Sequence, residues 1–142
     1  MKTIIDTNIA MDLMERREAY VEDAAKVFTI CASGLVEGFF TPNSFCDIHY
    51  LLKRVVHDEE NVRSSLSFWL EMISMTDIVA EDINNALGSQ MTDYEDAVMA
   101  MIAKRCSIDY IVTRNKKDFE NSPVPAVTPS EFISIALKAD FK

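Results

Sequence analysis

Glycine is scarce: Gly34, Gly38 and Gly88 are the only three in 142 residues. No Gly-rich loop that could cradle a phosphate can be written from them, so the P-loop and dinucleotide-binding folds lose their signature. Histidine is scarcer still, with only His49 and His57. Cys31, Cys46 and Cys106 are odd in number and widely spaced. Together with two histidines they offer no zinc-ligand spacing. They read instead as reduced, buried thiols in a reducing compartment. No apolar run approaches the roughly 18 residues that a membrane-spanning helix requires. The N-terminal MKTIIDTNIA meets Asp6 too early for a secretory signal, so a cytoplasmic chain without membrane contact is expected. Positive charge is also short: 14 bases face 23 acids, for a net charge of -9. A protein that grips nucleic acid by charge alone is normally basic, so nucleic acid would need another means of attachment here.

What is present is ordinary globular material, 49% hydrophobic and 26% charged, enough for one core. No repeat, low-complexity segment or linker interrupts it, and one domain over 1–142 is expected. Thr3-Ile4-Ile5 reads as a short strand ended by the helix-capping cluster Asp6-Thr7-Asn8. A helix through Ile9, Leu13 and Met14 follows. A second runs from Val21 through Ala24, Phe28 and Cys31, closed by Gly34. Val36 to Thr41 reads as a strand, and Pro42 suits the first turn of a helix carrying Phe45, Ile48, Leu52 and Val55. Asp58 opens a helix with Val62, Leu66, Trp69, Leu70 and Ile73 on its inner stripe. Thr76 to Val79 is expected as a third strand, before a brief helix around Ile83 and Leu87. Thr92 and Glu95 spell a T-x-x-E capping box ahead of the helix bearing Val98, Met99 and Ile102. Tyr110 to Thr113 is a fourth strand and Ala126-Val127 a fifth. Thr128, Pro129 and Glu131 cap a last helix through Phe132, Ile135 and Leu137. Strands alternating with helices predict an α/β fold: a three-layer α/β/α sandwich around a roughly five-stranded parallel sheet.

In open α/β sheets ligands bind beyond the carboxyl ends of the strands, where the strand order reverses. Asp6 follows the first strand and Arg114-Asn115 the fourth. Asp6 also suits N-capping, and the two roles are compatible. Asp93 and Asp96 share a face at the start of a helix, where acids offset the helix dipole. Asp96 precedes Ala97 and Ala100 on a small-residue side expected to face inward, and no Lys or Arg stands one turn away to pair with it. A buried acid needs a partner, and a cation would be one. Asp47 lies mid-helix, where Asp has poor propensity, so either a role or plain exposure holds it there. Mg2+ and Mn2+ prefer carboxylate and water oxygens. In phosphodiester hydrolysis such ions activate water and stabilise charge on the attacking and leaving oxygens.

The segments Ile4-Ile5-Asp6-Thr7-Asn8, Asp93-Tyr94-Glu95-Asp96-Ala97-Val98 and Tyr110 to Phe119 (YIVTRNKKDF) together resemble the PIN domain. This is the nuclease domain of VapC-type toxins in bacterial toxin–antitoxin pairs. Order, spacing and length agree along the whole chain. The resemblance implies a parallel five-stranded sheet and a Mg2+- or Mn2+-dependent endoribonuclease whose acidic pocket cuts RNA. By position, Asp6 resembles the first acid, Asp47 the second, Asp96 the acid of the late helix and Asp93 an additional one. Thr113 resembles the hydroxyl residue beside the site, with Thr7, Asn8 and Asn115 supporting it. Two departures stand out. The second acid is more often Glu, and the residue after Thr-Arg is often Asp but here is Asn115. Asp118 stands near enough in sequence to supply that carboxylate, although plain solvent exposure would also explain it. Arg114, Lys116 and Lys117 are the expected RNA-holding residues, although a solvated helix start would also use them.

A reading from another class is a PIN-like binding module with weak or absent catalysis, which Asn115 and the acidic balance motivate. A phosphoacceptor receiver domain would need an acceptor Asp ending a central strand near mid-chain, and none is visible. Beyond RNA, the partners to look for are a cognate antitoxin protein and a second copy of the chain as a homodimer. Eight methionines offer an adaptable apolar surface for either, though Met ordinarily fills cores.

Overall fold

A computed structural model describes residues 1–140; the last two residues of the expected 1–142 domain lie outside the described residues. The strands are β1 (Lys2–Ile5), β2 (Glu37–Phe40), β3 (Ser74–Met75), β4 (Tyr110–Val112) and β5 (Ala126–Val127). The helices are α1 (Thr7–Met14), α2 (Val21–Ala32), α3 (Pro42–Val56), α4 (Glu59–Met72), α5 (Ala80–Leu87), α6 (Tyr94–Arg105) and α7 (Pro129–Asp140), with a short 3-10 turn at Lys116–Phe119. Every strand pair is parallel. The strand order is β3-β2-β1-β4-β5. The expected α/β sandwich with a five-stranded parallel sheet is therefore what the chain forms.

The central strands β1 and β4 are buried on both faces because they supply apolar side chains alternately up and down. Ile5 and Val112 join Ile9, Val27, Phe28, Phe40, Ile48 and Phe132 in a core that packs α1, α2, α3, α4 and α7 against one face. Ile4 and Ile111 point the other way, into Val98, Met99, Ile102 and Phe119 beneath α5 and α6. Phe28 bridges strand and helix layers, with its ring centroid 6.1 Å from Phe40 and 4.6 Å from Trp69. Gly38 lets α2 approach the sheet: a Cβ at this position would stand 2.8 Å from Cys31 Sγ. No described helix is long and apolar enough to cross a membrane.

Several expectations need correction. The third strand lies at Ser74–Met75, two residues before the expected Thr76–Val79. Its place is set by pairing with Phe39 and Phe40, and Thr76 keeps only a last rung, its N–H donating to Phe40 O at 2.9 Å. The cap of α6 is Asp93, not Thr92: its Oδ1 accepts from Asp96 N at 2.9 Å. A Thr-x-x-Glu box does form at the last helix, where Thr128 N donates to Glu131 Oε2 and Glu131 N to Thr128 Oγ1. Leu70, expected on the inner stripe of its helix, is exposed, as are Val55, Leu87 and Leu137 of the helices named above. Of the three thiols, Cys31 is buried, Cys106 half-buried and Cys46 exposed. Burial pushes the Cys31 thiol up to about 12, which keeps it protonated.

Candidate active site

The strand order reverses between β1 and β4, and the chain leaving these two strands builds the site. Asp6 N donates to Val112 O at 3.0 Å, carrying the β1–β4 ladder one residue past the strand. That bond fixes Asp6 at the carboxyl edge of the sheet. Its Oδ1 then accepts from Thr7 N at 2.7 Å, capping α1. Its Oδ2 accepts from Thr113 Oγ1 at 2.8 Å. Thr113 Oγ1 in turn accepts from Asn115 N at 3.0 Å, so the hydroxyl proton is left to point at Asp6. Capping and site membership coincide in one residue, as the sequence allowed.

A cavity of about 470 Å³ opens beside Asp6. All four expected acids, Asp6, Asp47, Asp93 and Asp96, stand on its wall, joined by Glu95 and Asp118. The supporting residues Thr7, Asn8 and Asn115 line it too, while Thr113 is fully buried behind Asp6. Asp6 is only 9% exposed, and among the described residues no base pairs with it. Burial raises its pKa above the ordinary carboxylate range, reinforced by Asp118 and Asp93, although the hydrogen bonds from Thr113 and Thr7 oppose the shift. Asp96 is half-buried on the first turn of α6. Desolvation, followed by the charges of Asp6, Asp93, Asp118 and Glu95, pushes its pKa up to about 7. Asp47 and Asp93 are exposed and reach the cavity from its open side.

Oxygen donors without protons to receive complete the picture. Buried Asn8 Oδ1 and Asn43 Oδ1 have no hydrogen-bond partner, and both residues line the cavity. Ser44 and Thr7 share a hydroxyl contact of 2.7 Å that ties the start of α3 to the start of α1. Carboxylates without bases, beside orphaned carbonyl oxygens, are the donor set that a hard divalent cation takes. Among the described residues no three His, Cys, Asp or Glu side chains stand as a ready ligand cage. A cation held through its own water shell does not need the carboxylates in contact with one another.

The expected RNA-holding residues are placed differently. Arg114 faces inward: its Nε donates to Asp12 Oδ2 at 2.7 Å and its Nη2 to Asp12 Oδ1 at 3.2 Å. Its guanidinium also lies 4.0 Å from the Tyr20 ring centroid. Asp12 is 1% exposed, and a buried carboxylate must be paired, so Arg114 is taken. Lys116 pairs with Glu131 at 3.0 Å, and neither it nor Lys117 lines the acidic cavity. The sequence reading missed Asp12, Asn43 and Arg17. Asp12 carried a signal, an acid inside an apolar helix repeat, but nothing in the sequence joined it to a base about a hundred residues away.

No curated protein matches the chain. Its fold is shared with solved toxin–antitoxin proteins. One is the DNA-bound VapBC of Salmonella typhimurium, with a TM-score of 0.68 at 15% identity, over 91% of this chain and 98% of that one. Another is a toxin–antitoxin complex from Klebsiella pneumoniae, with a TM-score of 0.66 at 20% identity, over 89% and 97%. A third is VapC20 of Mycobacterium tuberculosis, a sarcin-ricin loop cleaving toxin, with a TM-score of 0.62 at 13% identity, over 77% and 86%. At these identities the likeness is one of fold. The model of the PIN domain matches residues 2–117, and with the acids of that match gathered at one sheet edge, the chain belongs to the PIN domain family.

Proposed function

We propose that the chain is a divalent-metal-dependent endoribonuclease and the toxin of a toxin–antitoxin pair. The observation that carries this reading is Asp6 and Asp96: two carboxylates with raised pKa on one cavity wall, with no base among the described residues to pair either. Asp6 and Asp96 would hold a Mg2+ or Mn2+ ion, with Asp47 and Asp93 facing it from the open side. A bound ion of this kind supplies an activated water and stabilises the charge that develops on phosphate oxygens. The chain's own part is orientation. Thr113 and Thr7 N–H hold the Asp6 carboxylate in one rotamer. Asn8 and Asn43 offer acceptors to water ordered beside it. Asp118 supplies the charge that Asn115 lacks.

Membership of the PIN family supports nuclease chemistry, and the toxin–antitoxin neighbours support an antitoxin partner. The test is incubation of purified protein with total bacterial RNA in Mn2+ or Mg2+, beside EDTA and Asp6→Asn controls. Discrete RNA fragments in metal alone, lost in Asp6→Asn, are the expected result. An inert wild type that nonetheless binds a protein partner tightly without metal would favour the binding module instead. Equal cutting by the variant would remove Asp6 from the chemistry.

A further inference from the structure

Six carboxylates line the cavity, and among the described residues Arg17 is the one cationic side chain on its wall. An anionic RNA backbone that enters this cavity meets repulsion on every side but one. We propose that Arg17 holds a backbone phosphate of the substrate; the proposal rests on the reading of the cavity as an RNA-cutting site.

The end of α1 puts the side chain there. Arg16 takes a left-handed conformation, with φ of 51°. Arg16 N then donates to Leu13 O at 3.2 Å and Arg17 N to Asp12 O at 3.0 Å. These paired bonds form a Schellman turn, which folds the chain back over the last turn of α1. Arg17 is thereby anchored by its backbone beside the cavity, whatever its side chain does.

The guanidinium is also replaceable where it now sits. Arg17 Nη1 donates to Asp12 Oδ1 at 3.2 Å, and Nε to Glu15 Oε2 at 2.9 Å. Asp12 already receives both Arg114 bonds, so it stays paired when Arg17 leaves. Glu15 lies at the helix end and is half-buried, with water to take the guanidinium's place. Exposure separates the two arginines as well: the Arg17 side chain is 39% exposed and that of Arg114 is 25%. A planar guanidinium matches two phosphate oxygens at once, which an ammonium does only as a point charge. Arg17 is therefore the group able to exchange a carboxylate partner for a phosphate without orphaning a buried charge.

The experiment compares wild type, Arg17→Gln and Arg17→Lys on the RNA that wild type cuts in Mn2+, with thermal midpoints read alongside. Arg17→Gln is expected to raise KM about tenfold and leave kcat within about threefold. The slope of log(kcat/KM) against log salt should become shallower by about 0.7, the loss of one phosphate contact on a single strand. Arg17→Lys should recover part of the KM. Unchanged KM and salt slope in Arg17→Gln overturn the inference while wild-type cutting stands. A KM loss that follows a collapsed midpoint, and that Lys does not restore, makes Arg17 a clasp on α1 and overturns it too. If wild type cuts no RNA in either metal, the underlying reading fails and this inference falls with it.

Discussion

Asp96 carries an energetic cost that its surroundings do nothing to relieve. Its neighbours are acids, no base approaches among the described residues, and its pKa is pushed up to about 7. The folded chain therefore keeps this proton in a pH range where the unfolded chain has lost it. Stability from this group is present below about pH 4 and is lost as pH rises through about 7. Solvent on the open side of the cavity moderates the effect, so about 1 kcal/mol, or about 3 °C in melting midpoint, is expected. Metal-free Asp96→Asn should thus melt about 3 °C above wild type at pH 8, and the gap should close towards pH 4. A gap of the opposite sign, or one that ignores pH, would contradict the electrostatic account. Arg114 makes the reverse case: its two bonds to buried Asp12 make it structural. Arg114→Ala should lower stability by about 2 kcal/mol or more, since it strips the better partner from a buried carboxylate. Chemical denaturation measures this. An unchanged midpoint would return Arg114 to the role of an RNA-holding residue.

At the scale of elements, one close approach sets the spacing between α2 and the sheet. Gly38 faces Cys31 so tightly that a Cβ would meet both its Sγ and, at 3.0 Å, its Cβ. Gly38→Ala should cost about 1–3 kcal/mol by overpacking. Adding Cys31→Ala should recover part of that loss, and denaturant midpoints of the two single variants and the double would show it. Additive losses would mean that the glycine serves the backbone rather than this contact. Gly38 was visible in the sequence, but its opposing residue was not, because contact across layers leaves no periodic trace. Strong helices and buried strands were legible, since period-two and period-3.6 apolar patterns report burial directly. The exposed edge strand β3 was not: Thr76–Val79 has the β-branched composition, yet pairing with β2 selects Ser74–Met75. The cap of α6 slipped by one residue because Thr92 and Asp93 can both cap, and a neighbour three residues on suits either. Val55, Leu70 and Leu87 show that a stripe gives the direction of a buried face and not its width.

Taken whole, the molecule spends its charge unevenly. Six carboxylates gather at the switch point of the sheet, while Arg114 and Lys116, two of the residues expected to hold RNA, are paired with Asp12 and Glu131. Asp6, Asp93, Asp96 and Thr113 were legible because their sequence segments carry the site. Asp47 was legible only in part, since its mid-helix place suits plain exposure as well as a role and the resemblance had to choose between them. Asp12, Arg17 and Asn43 were hidden, because their meaning comes from partners brought in by the fold. A chain with net charge of -9 concentrates repulsion in this cavity, and a bound divalent cation is what would relieve it. Calorimetric titration of Mn2+ into metal-free protein at pH 8 tests this most directly, with Asp6→Asn and Asp96→Asn as comparisons. Saturable binding by wild type, weakened at least about tenfold in each variant, is the predicted result. No binding by wild type, or equal binding by the variants, would contradict the claim that these carboxylates hold one cation.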